Sequence, residues 1–195
     1  PEGIVVATGC WAQKASPEEF RSVGADLMVG NGRKAELPRV VESLLEGSLP
    51  SGTVLRDGVP LRRWDPLFMC RPRLHSRAFI KVQDGCDHFC SYCIIPYLRG
   101  LPVSRPLADV EREVRSAVAS GCPEVVLTGI HLGLYGREIG SSLGELVSAV
   151  TAVGGLRRLR FGSLEPFALE EEFLAVLASS PVFSPHLHLP LQSGD

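Results

Sequence analysis

The 195-residue sequence has no run approaching the roughly 18 consecutive apolar residues that a membrane-spanning helix requires. Its opening, PEGIVVATGC, has neither the basic start nor the long apolar stretch of a secretory signal, so the expected location is cytoplasmic, with no membrane partner. An excess of charge of either sign is lacking as well. A formal net charge of −2 exerts no global pull toward nucleic acid and leaves only a local basic face open. There is no short internal repeat and no low-complexity tract. Six cysteines are too few and too unevenly spaced for a disulfide framework in a chain of this length, so clustered thiols point to metal binding or catalysis. The chain also starts without methionine, on an IVVA run that reads as a strand under way, and stops at LPLQSGD without a terminating element. The expectation is a piece of a longer protein.

What is present is enough apolar sequence, 45%, for a sizeable core in one domain or two. The first segment reads as a strand at 4–7, a loop at 8–17, a strand at 27–29 and a helix from about Lys34 to Glu46. In that helix Leu37, Val40, Val41, Leu44 and Leu45 recur at helical spacing before Gly47. Between Gly47 and His75 no period is sustained, which predicts a linker over 51–77. Beyond it, extended runs are predicted at 79–83, 125–128, 159–162 and 186–191. Helical patterns separate them: Val110, Val114, Ala117 and Val118 ending at Gly121; Ser142 and Glu145 as a capping box ahead of Leu146, Val147 and Val150; and a third from Leu169 to Leu177. Four βα units of this kind predict an α/β fold with parallel strands, as an open sheet or a partial barrel.

In either architecture functional groups gather in loops at the C-terminal ends of strands. One such loop, GCDHFCSYCIIPYLRG, puts Cys86, Cys90 and Cys93 into eight residues. Structural zinc is held by four ligands, so a zinc reading has to recruit His88, Cys70, Cys122 or another histidine. An iron-sulfur cube normally takes four thiolates, and with three one iron keeps an open position that a substrate or cofactor can occupy.

The C-x3-C-x2-C spacing after a strand and ahead of βα repeats resembles the signature of radical S-adenosylmethionine enzymes. FIKVQDGCDHFCSYCIIPYLRGLPVSRP, LTGIHLGLYG, the SLEP after the third strand and the terminal HLPLQSGD together resemble the methylthiotransferases of that superfamily. VVATGCWAQ resembles the loop of their N-terminal domain that supplies the third cysteine of an auxiliary four-iron cluster, a position held here by Cys10. The resemblance implies a partial radical-SAM βα barrel over 78–195, incomplete at its C-terminus. It also implies that 1–50 are the C-terminal part of a small α/β methylthiotransferase domain. CIIPYLRG and TGIHLG are most similar to the MtaB type, which modifies N6-threonylcarbamoyladenosine beside the tRNA anticodon. The MiaB type, acting on isopentenyladenosine, is a near relative, and the RimO type, acting on a ribosomal protein, fits the IIPY stretch less well.

By the same resemblance Cys86, Cys90 and Cys93 ligate the catalytic four-iron cluster, whose open iron chelates S-adenosyl-L-methionine. Tyr92 is expected against the adenine of that cofactor, with packing under the loop as the alternative. Thr128 and Gly129 end the second strand where the superfamily's backbone meets the methionine amino group, although a plain turn also uses glycine. Ser163 and Glu165 follow the third strand, where ribose hydroxyls need acceptors, and Gln192 is placed to reach the methionine carboxylate or the substrate. A polar group capping a loop is the bland alternative for each. His186 and His188 alternate onto one face, where a structural role is as good an account as a functional one.

Cys70 and Cys122 match no motif and are assigned to packing. The other auxiliary-cluster ligands belong, in the family, upstream of this chain's first residue. Arg56, Arg62, Arg63, Arg71, Arg73, Arg77 and Lys81 form a basic stretch that suits tRNA phosphates or a solvated linker, and Glu170, Glu171 and Glu172 suit the first turn of a helix. The implied chemistry is methylthio addition to C2 of the adenine, a carbon unsuited to acid-base attack: an adenosyl radical removes hydrogen, sulfur comes from the auxiliary cluster and methyl from a second S-adenosyl-L-methionine. The expected partners are a tRNA anticodon loop and a flavodoxin- or ferredoxin-type electron donor, with the protein a monomer. A zinc-stabilised RNA-binding module is the alternative from a different class.

Overall fold

The computed structural model describes residues 3–57, 64 and 76–194. The chain divides into two compact units, one of Pro1–Leu67 with Asp87–Leu101 and one of Phe68–Cys86 with Pro102–Asp195.

In the first unit, strands β1 (Val6–Thr8), β2 (Leu27–Val29) and β3 (Thr53–Leu55) form a parallel sheet with β2 in the centre. Helices α1 (Cys10–Lys14) and α2 (Pro17–Ser22) follow β1, and α3 (Leu37–Leu45) follows β2 after a 3-10 turn. All of β2 is buried, and the period of two along a strand sorts its side chains. Met28 packs with Ala12, Ala15 and Phe20, whereas Leu27 and Val29 pack with Val40. The expected loop at 8–17 therefore holds α1, and α2 starts at its last residue. Ser16 builds a full capping box: its hydroxyl accepts from Glu19 N–H (3.1 Å), the Glu19 carboxylate accepts from Ser16 N–H (2.6 Å), and Pro17 occupies the first turn. The predicted linker also gives up its beginning, because Thr53–Leu55 pairs with β2 as an edge strand. Three residues are too short a run for hydrophobic periodicity to register.

In the second unit, β4 (Arg77–Lys81) is followed by a two-residue strand, β5 (Gln83–Asp84). Helix α4 (Ile95–Arg99) comes next in the chain but groups with the first unit. Then come β6 (Val103–Ser104), α5 (Leu107–Ala119), β7 (Glu124–Thr128), α6 (Leu143–Thr151), β8 (Arg158–Phe161) and α7 (Glu171–Ser179). The main sheet is parallel in the order β4-β7-β8, while β5 and β6 pair antiparallel. One face of the sheet, carrying Ala78, Ile80, Val125, Leu127, Leu159 and Phe161, shares a core with Val110, Val114 and Ala117 of α5, Leu146, Val147 and Val150 of α6, and Phe173 and Leu177 of α7. The opposite face is charged. There Glu124 receives Arg160 (2.9 Å), Arg158 (3.3 Å) and, more distantly, Arg77 (3.9 Å).

The α/β class with parallel strands is as expected, and α7 begins with the acidic turn read from Glu170, Glu171 and Glu172. Two details differ. The run at 186–191 is not a strand: Leu187 packs on the core and His188 makes an isolated bridge to Ser163, just past β8, with Pro190 having no N–H to extend a ladder. At α6 the Ser142 hydroxyl accepts from Glu145 N–H (3.1 Å), but the Glu145 carboxylate accepts from the Ser141 hydroxyl (2.7 Å), so the predicted box is only half formed.

Candidate radical chemistry site

The sheet of the second unit delivers its strand ends to a polar cluster. After β4 the chain turns through β5 into Gly85, whose positive φ of 76° permits the sharp exit toward Cys86. Gln83 is fully buried. Its Nε2 donates to the carbonyls of Asp84 (2.9 Å) and Gly85 (2.8 Å), and its Oε1 accepts from His131 N–H (2.8 Å). Gly129, just past the end of β7, is packed against the same side chain, since a Cβ there would lie 3.1 Å from Gln83 Cβ and Oε1. His131 in turn sets Nδ1 3.2 Å from a Glu165 carboxylate oxygen, in the loop after β8. Gly133 lets this turn approach closely too, because its Cβ would meet Ala168 Cβ at 2.7 Å.

Of the residues read from sequence, the fold brings Gly129 and Glu165 into this cluster, with Thr128 preceding it at the end of β7. Ser163 is turned to His188, hydroxyl to Nδ1 at 3.1 Å, beside a backbone bond from Leu164 N–H to His188 O at 3.0 Å. Gln192 is exposed and takes a positive φ of 66°, which only one other non-glycine among the described residues shares. Sequence reading missed Gln83 and His131. Each lay inside a quoted motif, KVQDGC and TGIHLG, but a lone amide or imidazole has no spacing signal, and only the tertiary contact between strand ends couples them.

The three thiols are carried by one loop. Cys86 and Cys93 are half-buried, Cys90 is exposed, and none of them is in a disulfide. Cys93 N–H donates to Cys90 O (2.8 Å), closing a tight turn, and Phe89 at φ 45° bends the chain ahead of it. Tyr92 is exposed. Local desolvation first, and then the Cys90 and Cys93 sulfurs, raise its phenol above the ordinary value, with its hydroxyl hydrogen-bonded to Cys90. His88 faces Asp87 at 3.8 Å. Among the described residues no three His, Cys, Asp or Glu side chains converge closely enough to hold a metal ion. The donor chemistry nevertheless fits a four-iron cluster: three cysteine thiols in eight residues of one accessible loop supply all but one of the usual thiolates.

In the first unit Cys10 opens α1, with its sulfur 3.7 Å from Asn31 Nδ2, which also donates to Leu98 O (2.9 Å). A cavity of about 620 Å³ in this unit is lined by Gln13, Lys14, Arg56, Asp57, Ile94, Tyr97 and Leu98. Cys122 is buried in the core as expected for a packing thiol, and burial pushes its pKa up. In the proposed basic stretch Arg62, Arg63, Arg71 and Arg73, like Cys70, lie outside the described residues. The three described members are each engaged: Arg56 with Ala15 O (2.6 Å), Arg77 with Glu124, and Lys81 with Asp84.

The model of the radical SAM superfamily matches residues 80–195, the segment that contains all three cysteines and every strand end of the cluster. The chain belongs to the radical SAM superfamily. Along its whole length this radical SAM chain is also similar to curated tRNA-modifying proteins. It is 36% identical over 197 residues to threonylcarbamoyladenosine tRNA methylthiotransferase MtaB of Aquifex aeolicus and 34% identical to the protein of that name in Bacillus subtilis. It is 33% identical to tRNA-2-methylthio-N(6)-dimethylallyladenosine synthase of Acidithiobacillus ferrooxidans. The chain spans 47%, 43% and 44% of these relatives respectively. Among the described residues no helix is long and apolar enough to cross a membrane.

Proposed function

We propose that this chain is the catalytic portion of a tRNA methylthiotransferase that adds a methylthio group to C2 of N6-threonylcarbamoyladenosine beside the anticodon. The observation that carries this reading is the Cys86, Cys90 and Cys93 spacing, which follows in sequence the first strand of a parallel βα sheet, in a chain similar over its whole length to tRNA methylthiotransferases. When bound, a four-iron cluster with an open iron and S-adenosyl-L-methionine supply the one-electron chemistry that an unactivated adenine C–H bond demands.

The protein's own part is binding and orientation. Cys86, Cys90 and Cys93 hold the cluster as thiolates. Gly129 lets the exit of β7 close onto the Gln83 side chain, so that its backbone meets the cofactor, Glu165 accepts from a ribose hydroxyl while His131 steadies it, and Tyr92 offers an exposed ring to the adenine. Thr128, at the end of β7, and Ser163, after β8, together with Gln192 complete the cofactor contacts. Cys10 joins two ligands from outside this chain in a second four-iron cluster that supplies the sulfur. The anticodon loop presents its base without a duplex to open, the electron donor is a small flavodoxin- or ferredoxin-type protein, and the enzyme works as a cytoplasmic monomer.

The 33% identity to a dimethylallyladenosine synthase supports a second reading in which the modified base carries an isopentenyl group. Nucleoside mass spectrometry of tRNA from a strain lacking the parent gene separates the two by which methylthio nucleoside disappears. For the chain itself, anaerobic reconstitution is expected to yield about four irons and four sulfides at this loop, lost in the Cys86, Cys90 and Cys93 triple alanine variant. Zinc without sulfide would overturn the radical reading and leave an RNA-binding module.

A further inference from the structure

The Gln83 carboxamide is saturated in a way that fixes its direction. Both N–H bonds of Nε2 are spent on carbonyls at 2.9 and 2.8 Å and Oε1 takes the His131 N–H at 2.8 Å, so an end-for-end flip would set donor against donor and oxygen against oxygen. One bonding partner, the Gly85 carbonyl, belongs to the peptide that leads into Cys86. Another, the His131 N–H, is the backbone of the residue whose ring meets Glu165, and the third is the Asp84 carbonyl. Packing alone would be served equally well by methionine or leucine at this fully buried position, whereas a buried amide is tolerable only when every polar atom is matched, as here.

We propose that Gln83 is a positioning residue that holds the base of the Cys86 loop and the His131–Glu165 pair in one frame. The inference rests on the proposed function, in which Cys86 and Glu165 act on parts of one bound cofactor, so their separation has to be reproduced at each turnover. Loops alone do not fix such a distance, and a buried three-point amide between them does.

The test uses the full chain with amide hydrogen exchange and site-resolved iodoacetamide labelling. Gln83→Met keeps the volume and removes all three bonds. His131 amide exchange is expected to accelerate about tenfold or more while the amides of Val126 and Leu127 stay protected. Cys86 alkylation is expected to change several-fold relative to Cys90 and Cys93. Gln83→Glu separates the two ends: it keeps an acceptor for His131 N–H but loses the donors, so His131 stays protected while Cys86 labelling shifts. In cluster-loaded protein the methionine variant should keep its iron and bind S-adenosyl-L-methionine about tenfold more weakly, the scale of an outer-shell loss.

Exchange and labelling within twofold of wild type in both variants would overturn the inference. So would acceleration spread evenly over β7 and α5, which marks an ordinary core residue. If the wild-type chain assembles no four-iron cluster, the proposed function falls, while the exchange pattern still decides whether Gln83 joins the two loops.

Discussion

The two units use the same parallel α/β arrangement and stabilise it by different means. The second is built around one continuous apolar core of sheet and three helices, and burial raises the pKa of two of its neutral groups, Tyr135 and Cys122. The first divides its apolar residues between two small clusters on either face of β2 and supplements them with charged ties near the surface. Asp26 accepts from Val5 N–H (2.9 Å) and the Ser51 hydroxyl (2.8 Å), Glu19 closes the capping box, and Glu36 receives Arg33 at 2.7 and 2.8 Å. A larger core buries more apolar area per residue ordered, while the three carboxyl groups just named in the small unit each have a pKa lowered by their hydrogen-bond donors and so couple its stability to acid.

The sharpest way to break the second unit is at a buried ion pair, Arg105 with Glu113, each with about 95% of its side chain out of solvent. Glu113→Ala takes the paired carboxylate from the buried Arg105 guanidinium and is expected to cost about 3–5 kcal/mol. Both tryptophans of the sequence, Trp11 and Trp64, belong to the first unit. The loss should therefore appear in helix circular dichroism and in hydrogen exchange over α5, with little change in the tryptophan emission midpoint.

Alkali should weaken the second unit next. Tyr135 donates its hydroxyl to Arg105 O (2.8 Å), and burial pushes its pKa up to about 12 from 10.0. A raised folded pKa means that stability is full below pH 10 and is lost as pH rises through the folded value. The loss amounts to about 2–3 kcal/mol for a shift of this size. Urea midpoints measured from pH 9.5 to 12 in wild type and Tyr135→Phe check it, since the phenylalanine variant should lose this part of the slope.

Acid should select the first unit. The carboxyl groups of Asp26, Glu19 and Glu36 are held below their ordinary values of 3.8, 4.5 and 4.5, chiefly by the Val5 N–H, the Ser16 N–H and the Arg33 guanidinium respectively. For depressed pKa values the contribution is complete above the unfolded values and disappears as pH falls through the lower folded ones. Tryptophan emission is accordingly expected to report unfolding before the exchange protection of β7 is lost on titration from pH 5 downward. A simultaneous transition would contradict the comparison.

The smallest effect is Ser16→Ala, which removes the cap of α2 at a cost of about 1 kcal/mol. Its signature is a lower midpoint in tryptophan emission, with the second unit unmoved.

How far the sequence could be read also differs between the units. In the second, β7, α5 and α6 follow from apolar periods long enough to register, and the cysteine spacing ahead of the βα repeats carried the resemblance to radical SAM enzymes. In the first, α1, α2 and β3 run to only five, six and three residues, below the length at which a period is distinguishable from chance. Ser163 shows the limit for sites, because its place after a strand was legible but its hydrogen bond to His188, 25 residues later, was not.

What the sequence by itself determined is the chemistry on offer: three thiols at a fixed spacing, glycines where backbones must approach, and a strand-helix alternation that commits the chain to a parallel sheet. The tertiary structure decided which polar groups meet. Gln83, His131 and Glu165 lie on three successive strand exits, far apart in sequence and without a shared motif. They come together because parallel strands in register deliver their C-terminal ends to one edge, where a buried amide finds its partners only after the sheet has formed.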